Sequence, residues 1–198
     1  MSAPFSIRPA TFDDALPIAK AQVAVWRSAY RDILPGALMD RMTVPDREKG
    51  WRRILEAYEA SGRGAVFVAE QGGEVVGFLS CGYQRDDALS DRFSGEISAI
   101  YVEVSRQGIG TGLMAAGAQA LLDMGHEAAA LWVLSDNAVA RAFYERLQGA
   151  QVSERLAEDG PENNLSEVAY GWSDVAELAR AYPASISNSL CLRQSPPP

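Results

Sequence analysis

The chain has 198 residues, of which 47% are hydrophobic and 22% charged, which is typical of one soluble globular domain. It carries 18 Lys and Arg against 26 Asp and Glu, and the resulting net charge of −8 argues against a nucleic-acid partner, whose phosphates would be repelled. The sequence contains no recognisable signal peptide and no apolar stretch of about 20 residues, so we expect a cytoplasmic protein without a membrane partner.

The two cysteines, Cys81 and Cys191, lie far apart and match no metal-ligand spacing. We expect both to be free thiols and the protein to bind no metal.

The first third of the chain predicts one strand and two helices. Residues 5–8 alternate as a short edge strand does, and Pro9 follows them. Thr11 is placed to cap a helix whose apolar positions recur at helical spacing up to Tyr30. A second helix is predicted over residues 45–60.

The middle of the chain changes to strand patterns. Residues 65–69 and 75–79 read as two strands joined by a turn at Gly72-Gly73. A polar loop over 84–94 leads to a third strand at 96–102. Three consecutive strands of this kind predict an antiparallel meander.

The last part of the chain alternates helices and strands. We predict that Ser135 or Asp136 caps the second of these helices and that His126 caps the end of the first. The predicted segments are a helix at 109–124, a strand at 128–134, a helix at 137–147, strands at 151–156 and 168–172, and a short helix from 173.

This order of elements predicts a single-domain α/β fold. A meander followed by crossover helices implies a mixed, mostly antiparallel central sheet of about seven strands with helices on both faces. We expect the domain to span residues 5–182 and the tail over 183–198, which ends in three prolines, to be disordered.

A glycine-rich segment, Gly108-Ile109-Gly110-Thr111-Gly112, lies between a predicted strand and a predicted helix. Free N–H groups at such a helix start form an anion site, to which Arg106 could add a charged contact; a simple tight turn is an equally common explanation. A P-loop is excluded because Leu113 stands where Lys is needed, and a dinucleotide fold because a meander precedes the loop.

The same segment carries a family resemblance. Arg106-Gln107-Gly108-Ile109-Gly110-Thr111-Gly112 resembles the pyrophosphate-binding motif of the GNAT N-acetyltransferase superfamily. Ser105 stands where that family usually has Gln or Arg, and Leu147-Gln148-Gly149 replaces its usual Leu-Gly pair. Further stretches that resemble GNAT sequences, in the same order along the chain, are 7–10, 26–30, 75–78, 100–102, 131–137, 142–147 and 170–172.

The resemblance implies an acetyltransferase with a GNAT-like fold that uses acetyl-CoA as the acyl donor and transfers acetyl to an amine within a ternary complex. In that family the backbone of the third strand meets the thioester carbonyl and the pantetheine, and Asn137 matches a residue that contacts the cofactor. The implied cofactor-binding residues are Ile100, Tyr101, Val102, Arg106, Gln107, Gly108, Ile109, Gly110, Thr111 and Asn137.

Two residues are candidates for proton transfer. Tyr144 shares a helix face with Asn137 and Arg141 and matches the family's tyrosine near the cofactor sulfur, which makes it the candidate general acid; by position alone it would be half-buried core. Glu96 is the candidate general base, acting directly or through water, and a solvated carboxylate at a strand end is an equal alternative. Some relatives carry a glutamate where this chain has Trp132, which we assign with Trp172 to the core.

Trp26 and Tyr30 are the candidate acceptor-binding residues, although a tryptophan at helical spacing is more often core. The expected acceptor is a small-molecule amine or an amino-acid-like compound. A protein or peptide N-acetyltransferase, a non-catalytic acyl-CoA-binding regulator and a nucleotide binder are the alternatives. The sequence leaves open whether the chain forms a homodimer.

Overall fold

A computed structural model describes residues 4–29, 42–103, 107–156 and 165–180. Within these residues the chain forms one mixed, seven-stranded sheet with helices on both faces, which confirms the predicted fold. The strands are β1 (Phe5–Pro9), β2 (Gly64–Gln71), β3 (Glu74–Tyr83), β4 (Gly95–Val102), β5 (Ala129–Leu134), β6 (Ala150–Leu156) and β7 (Ser166–Trp172).

The helices lie close to their predicted positions. They are α1 (Ala15–Ala29), α2 (Val44–Ser61), α3 (Asp87–Ser90), α4 (Ile109–Asp123), α5 (Ala138–Arg146) and α6 (Val175–Arg180), and a 3₁₀ turn at Phe12–Asp14 precedes α1. The short helix α3 lies inside the segment that the sequence predicts as a polar loop. No helix in the described part of the chain is long and apolar enough to cross a membrane.

The strand order across the sheet is β1-β2-β3-β4-β5-β7-β6, and all neighbours are antiparallel except β4 and β5. The parallel pair is short, because only Gly95 with Ala129 and Glu96 with Ala130 are in register. Beyond these two pairs β4 and β5 diverge, so the sheet opens into a fork between its two halves.

Two hydrophobic layers hold the sheet. On one face α4 packs Leu113 against Leu79 and Leu131, all of them at most 3% exposed. On the other face α1 and α2 cover Phe78, whose ring meets Trp51 edge-on at 4.9 Å. Successive residues of β4 and β5 point to opposite faces of the sheet, so the strands that border the fork contribute side chains to both layers.

Local capping differs from the sequence prediction at two helix ends. Asn137 is the N-cap of α5, because its side chain accepts a hydrogen bond from the Ala140 N–H at 3.1 Å; the prediction of Ser135 or Asp136 was wrong by one or two residues. The His126 ring does not cap α4, because its Nδ1 shares a hydrogen bond with Ser94 Oγ at 3.0 Å instead.

The turn after α5 accommodates the altered Leu147-Gln148-Gly149 sequence. Gln148 takes the left-handed conformation, with φ of 63°, and is the one non-glycine with positive φ in the described residues. Gly149 lies against Trp172, where an added Cβ would stand 2.7 Å from the indole ring. Gln148, the residue inserted between the leucine and the glycine, therefore takes the left-handed position in this turn. Gly149 instead provides the space in which the Trp172 ring packs.

Candidate functional site

The fork between β4 and β5 forms a cleft of about 1150 Å³. Its walls are residues 97–102 of β4 and 131–134 of β5, and the start of α4, one face of α5 and Trp26 of α1 complete it. The cleft therefore brings together elements that lie far apart in the sequence.

The β4 wall turns one strand edge towards the cleft. Within the described residues this edge pairs with β5 only at Gly95 and Glu96, and residues 97–102 beyond it line the cleft. The register of β4 also shifts opposite Ser80 and Cys81, which makes Ser98 an extra residue in the strand. Ser98 Oγ lies 3.0 Å from Ser80 Oγ, a contact that fixes this bulge.

The start of α4 lies at the edge of the cleft and presents N–H groups of the kind that bind anions at helix starts. Gly108 precedes the helix with φ of 83°, a conformation that favours glycine, and its carbonyl oxygen accepts the first helical hydrogen bond from the Gly112 N–H at 2.9 Å. The N–H groups of Ile109, Gly110 and Thr111 precede this first helical bond and have no partner within the helix. The dipole of the 15-residue helix adds partial positive charge at the same end. Gly108, Ile109, Gly110 and Thr111 all line the cleft.

Two side chains brace this helix start. The Gln71 Nε2 group donates to Gln107 Oε1 at 2.8 Å, which ties the loop to the end of β2. An added Cβ on Gly110 would stand 3.1 Å from the Phe143 ring, so the glycine lets α5 pack directly on α4. Arg106 and Ser105 lie outside the described residues.

The α5 wall carries Asn137 and Tyr144, both of which line the cleft as their shared helix face predicts. Because Asn137 Oδ1 caps the helix, its Nδ2 group remains available as a donor. Tyr144 is 6% exposed and packs against Phe143, Tyr170 and Trp172 with ring centroids 5.5 to 6.0 Å apart. The aromatic packing fixes the tyrosine ring at the cleft wall.

Arg141 lies between these two residues on the helix face but makes other contacts. Its Nη1 donates to the Ser135 carbonyl at 3.0 Å and its Nε to the Tyr170 hydroxyl at 3.3 Å. Tyr170 in turn donates to Glu145 Oε1 at 2.6 Å. Hydrogen bonding to Tyr170 raises the pKa of Arg141, which stays charged as a structural link between α5 and β7.

On the face covered by α1, aromatic side chains dominate the cleft. Trp26, Tyr101 and Trp132 all line it, and Trp26 is only 5% exposed. The prediction of Trp132 as core was wrong, because it is half-buried in the cleft wall, whereas Trp172 is buried as predicted. Trp132 stands where some relatives carry a glutamate, and this difference was the signal in the sequence that the position belongs to the site. Tyr30 lies outside the described residues.

Trp132 belongs to a polar cluster that sequence reasoning missed. Its indole Nε1 donates to Asp86 Oδ2 at 2.8 Å, and the Arg155 guanidinium lies 4.0 Å above its ring. Arg155 also bonds to Asp86, and its Nε donates to Glu167 Oε2 at 2.8 Å. Glu167 lines the cleft as well, so this cluster forms part of its wall.

Glu96 lies at the closed end of the fork, where β4 and β5 last pair, and it is not among the residues that line the cleft. Both of its oxygens accept hydrogen bonds from Arg85, at 2.7 Å from Nε and 2.8 Å from Nη2. This pairing raises the pKa of Arg85. The Glu96 carboxylate is therefore oriented by a partner rather than open to the cleft.

Two further titratable groups are buried away from the cleft. Burial, reinforced by the Arg63 charge, lowers the pKa of His126, whose Nε2 has no hydrogen-bond partner within the described ranges. Burial also raises the pKa of Cys81 to about 12, so this thiol is unreactive at neutral pH. Cys191 falls outside the part of the chain that the structure describes.

Comparison with known proteins finds a matching family model and a curated relative. Residues 26–150 match the model of the acetyltransferase (GNAT) family. The chain is 35% identical over 180 residues to YuaI of Bacillus subtilis, an uncharacterized N-acetyltransferase, and the match covers 87% of this chain and 95% of YuaI.

Solved structures show the same fold at low sequence identity. The PaiA N-acetyltransferase of Thermoplasma acidophilum in complex with coenzyme A matches with a TM-score of 0.63 at 15% identity, over 84% of this chain and 98% of that one. YncA of Salmonella typhimurium with acetyl-CoA, described as a putative acetyltransferase, matches with a TM-score of 0.61 at 18% identity, over 85% and 92%.

Proposed function

The chain belongs to the acetyltransferase (GNAT) family, and from this premise we propose that it transfers acetyl from acetyl-CoA to a primary amine of a small molecule by direct attack in a ternary complex. The observation that carries the proposal is the start of α4, whose N–H groups open onto the same cleft as Tyr144. Bound acetyl-CoA supplies an activated thioester. The chain's own residues position it, stabilise charge and move protons.

The cleft fits the chemical parts of acetyl-CoA. The unpaired N–H groups at the start of α4 suit a pyrophosphate, and the dipole of the helix favours its negative charge. The stretch of β4 over Ile100, Tyr101 and Val102 lines the cleft beyond the last β4–β5 pair, and it suits the pantetheine amides, which can lie along it as an added strand does. The volume of about 1150 Å³ has room for a cofactor and a small acceptor together.

Tyr144 is assigned to the departing sulfur. A phenol in a largely buried wall can donate a proton to a thiolate as the charge develops there. Asn137 Nδ2 is assigned as a hydrogen-bond donor to the cofactor from the same helix face. A backbone N–H group of β4 near the bulge would stabilise negative charge on the thioester oxygen.

Glu96 is assigned as the general base, and its position at the closed end of the fork requires that a water molecule carry the proton from the amine. Arg85 holds the carboxylate in one orientation by two hydrogen bonds. We expect Glu96→Gln to lower kcat by about 100-fold at neutral pH, since the amide cannot accept the proton. The pH dependence of kcat would be measured by following CoA release.

The matched variant for this test is Arg85→Gln, which removes the partner and keeps the carboxylate. Because the carboxylate itself is retained, we expect Arg85→Gln to keep most of the activity, with a loss of kcat of less than about tenfold. Equal losses in the two variants would assign Glu96 a structural role only.

The proposed function is tested by CoA release with acetyl-CoA and a panel of primary amines, amino acids and N-terminal peptides. We expect turnover with small amines above the rate of acetyl-CoA hydrolysis without acceptor. Turnover on peptides alone would replace the small-molecule acceptor by a protein one. CoA binding without turnover on any acceptor would favour a regulatory acyl-CoA-binding protein.

A further inference from the structure

Glu167 on β7 is an acidic side chain in the wall of the cleft. Its backbone pairs with Leu134 of β5, which lines the same wall. The Glu167 side chain is 13% exposed, and its Oε2 accepts from Arg155 Nε at 2.8 Å. Its second oxygen, Oε1, has no hydrogen-bond donor among the described residues, so a largely buried carboxylate offers an unused acceptor atom beside the cleft.

The charges around Glu167 favour a cationic ligand. Arg155 is shared between Glu167 and Asp86, so this group of three carries one more negative charge than positive. The guanidinium is already bound by two carboxylates, which leaves it a poor site for an acceptor's carboxylate. An ammonium group, by contrast, would gain a charge-assisted hydrogen bond at Glu167 Oε1.

The aromatic wall has the same preference. The Arg155 guanidinium covers one face of the Trp132 ring at 4.0 Å, and the same tryptophan lines the cleft. Trp26 and Tyr101 line the facing side of the cleft. Aromatic faces of this kind stabilise ammonium groups and the methylene chains that join them.

The strand register places Glu167 away from the closed end of the fork. Leu134, its partner, lies four residues along β5 from Ala130, or about 13 Å at roughly 3.3 Å per residue. Trp132 lies midway between them. We propose that Glu167 binds a second cationic group of the acceptor, so that the preferred substrates are diamines; this inference rests on the proposed amine acetylation.

The proposal is tested with three probes of similar length, namely putrescine, n-butylamine and γ-aminobutyrate. We expect the wild-type protein saturated with CoA to bind putrescine at least about tenfold more tightly than either other probe by calorimetry. In Glu167→Gln this preference should fall about tenfold, with binding of n-butylamine unchanged within about twofold.

Glu154→Gln is the matched control, because Glu154 is an exposed acid on β6 beside Val168, on the opposite face of the sheet. This variant should keep the preference for putrescine. Equal binding of all three probes to the wild type, a preference for γ-aminobutyrate, or an undiminished preference in Glu167→Gln would overturn the cationic subsite. Putrescine binding without acetylation would support the subsite and contradict the proposed enzyme function.

Discussion

Gly108→Asp is expected to weaken CoA binding by at least about 100-fold. The substitution places a carboxylate where the start of α4 presents unpaired N–H groups, so it competes with and repels the pyrophosphate. A non-glycine at φ of 83° also costs about 1 to 2 kcal/mol of conformational free energy. Isothermal titration with CoA and acetyl-CoA measures the loss.

Gly125→Asp provides the control for backbone strain. Gly125 follows the other end of α4 with φ of 86°, and a Cβ added there would meet no atom within 4 Å. The variant therefore suffers a comparable strain and gains the same charge, but it lies away from the anion site. If Gly125→Asp lost CoA binding as fully as Gly108→Asp, instability rather than the phosphate site would explain both results.

Tyr144→Phe is expected to lower kcat by about 100-fold while the Kd for CoA changes by less than about threefold. Removing the phenolic hydroxyl leaves the ring packing among Phe143, Tyr170 and Trp172 intact, and we expect the loss of kcat to come from proton donation to the leaving thiolate. Pre-steady-state measurement of acetyl transfer separates this step from product release.

Tyr170→Phe is the matching phenol deletion within the same aromatic group. Tyr170 is 1% exposed, bonds to Glu145 and Arg141, and is not among the cleft-lining residues. We expect it to lose about 1 kcal/mol of stability with kcat nearly unchanged. The assignment of Tyr144 as acid would be rejected if its variant kept full activity, or if both phenol deletions reduced kcat equally.

Local patterns in the sequence predict much of the fold and half of the cleft. The glycine segment between a strand and a helix predicts the turn and the helix start that line the cleft, because strand, turn and helix start are consecutive. Helical spacing places Asn137 and Tyr144 on one face, and both line the cleft. The N-cap was misplaced because Ser135, Asp136 and Asn137 are all good capping residues, and only the backbone conformation selects among them.

The polar cluster in the cleft wall could not be predicted in this way. Trp132, Glu167 and Arg155 meet through the pairing of β5, β7 and β6, and Asp86 reaches them from the start of α3. Strand patterns identify each segment but not its neighbours in the sheet. For the same reason the early divergence of β4 from β5, which creates the cleft, leaves no signal in either strand.

That divergence also leaves the two halves of the sheet joined over a short length. In the described part of the chain, the two halves of the sheet, β1–β4 and β5–β7–β6, pair with each other only at the two residue pairs at the closed end of the fork. A molecule that contacts β4 and the start of α4 on one side of the cleft and α5 on the other would bridge the two halves of the sheet. At a concentration of 100 times its Kd such a ligand adds about 2.7 kcal/mol to the free energy of unfolding, so we expect bound acetyl-CoA to raise the melting temperature of the protein.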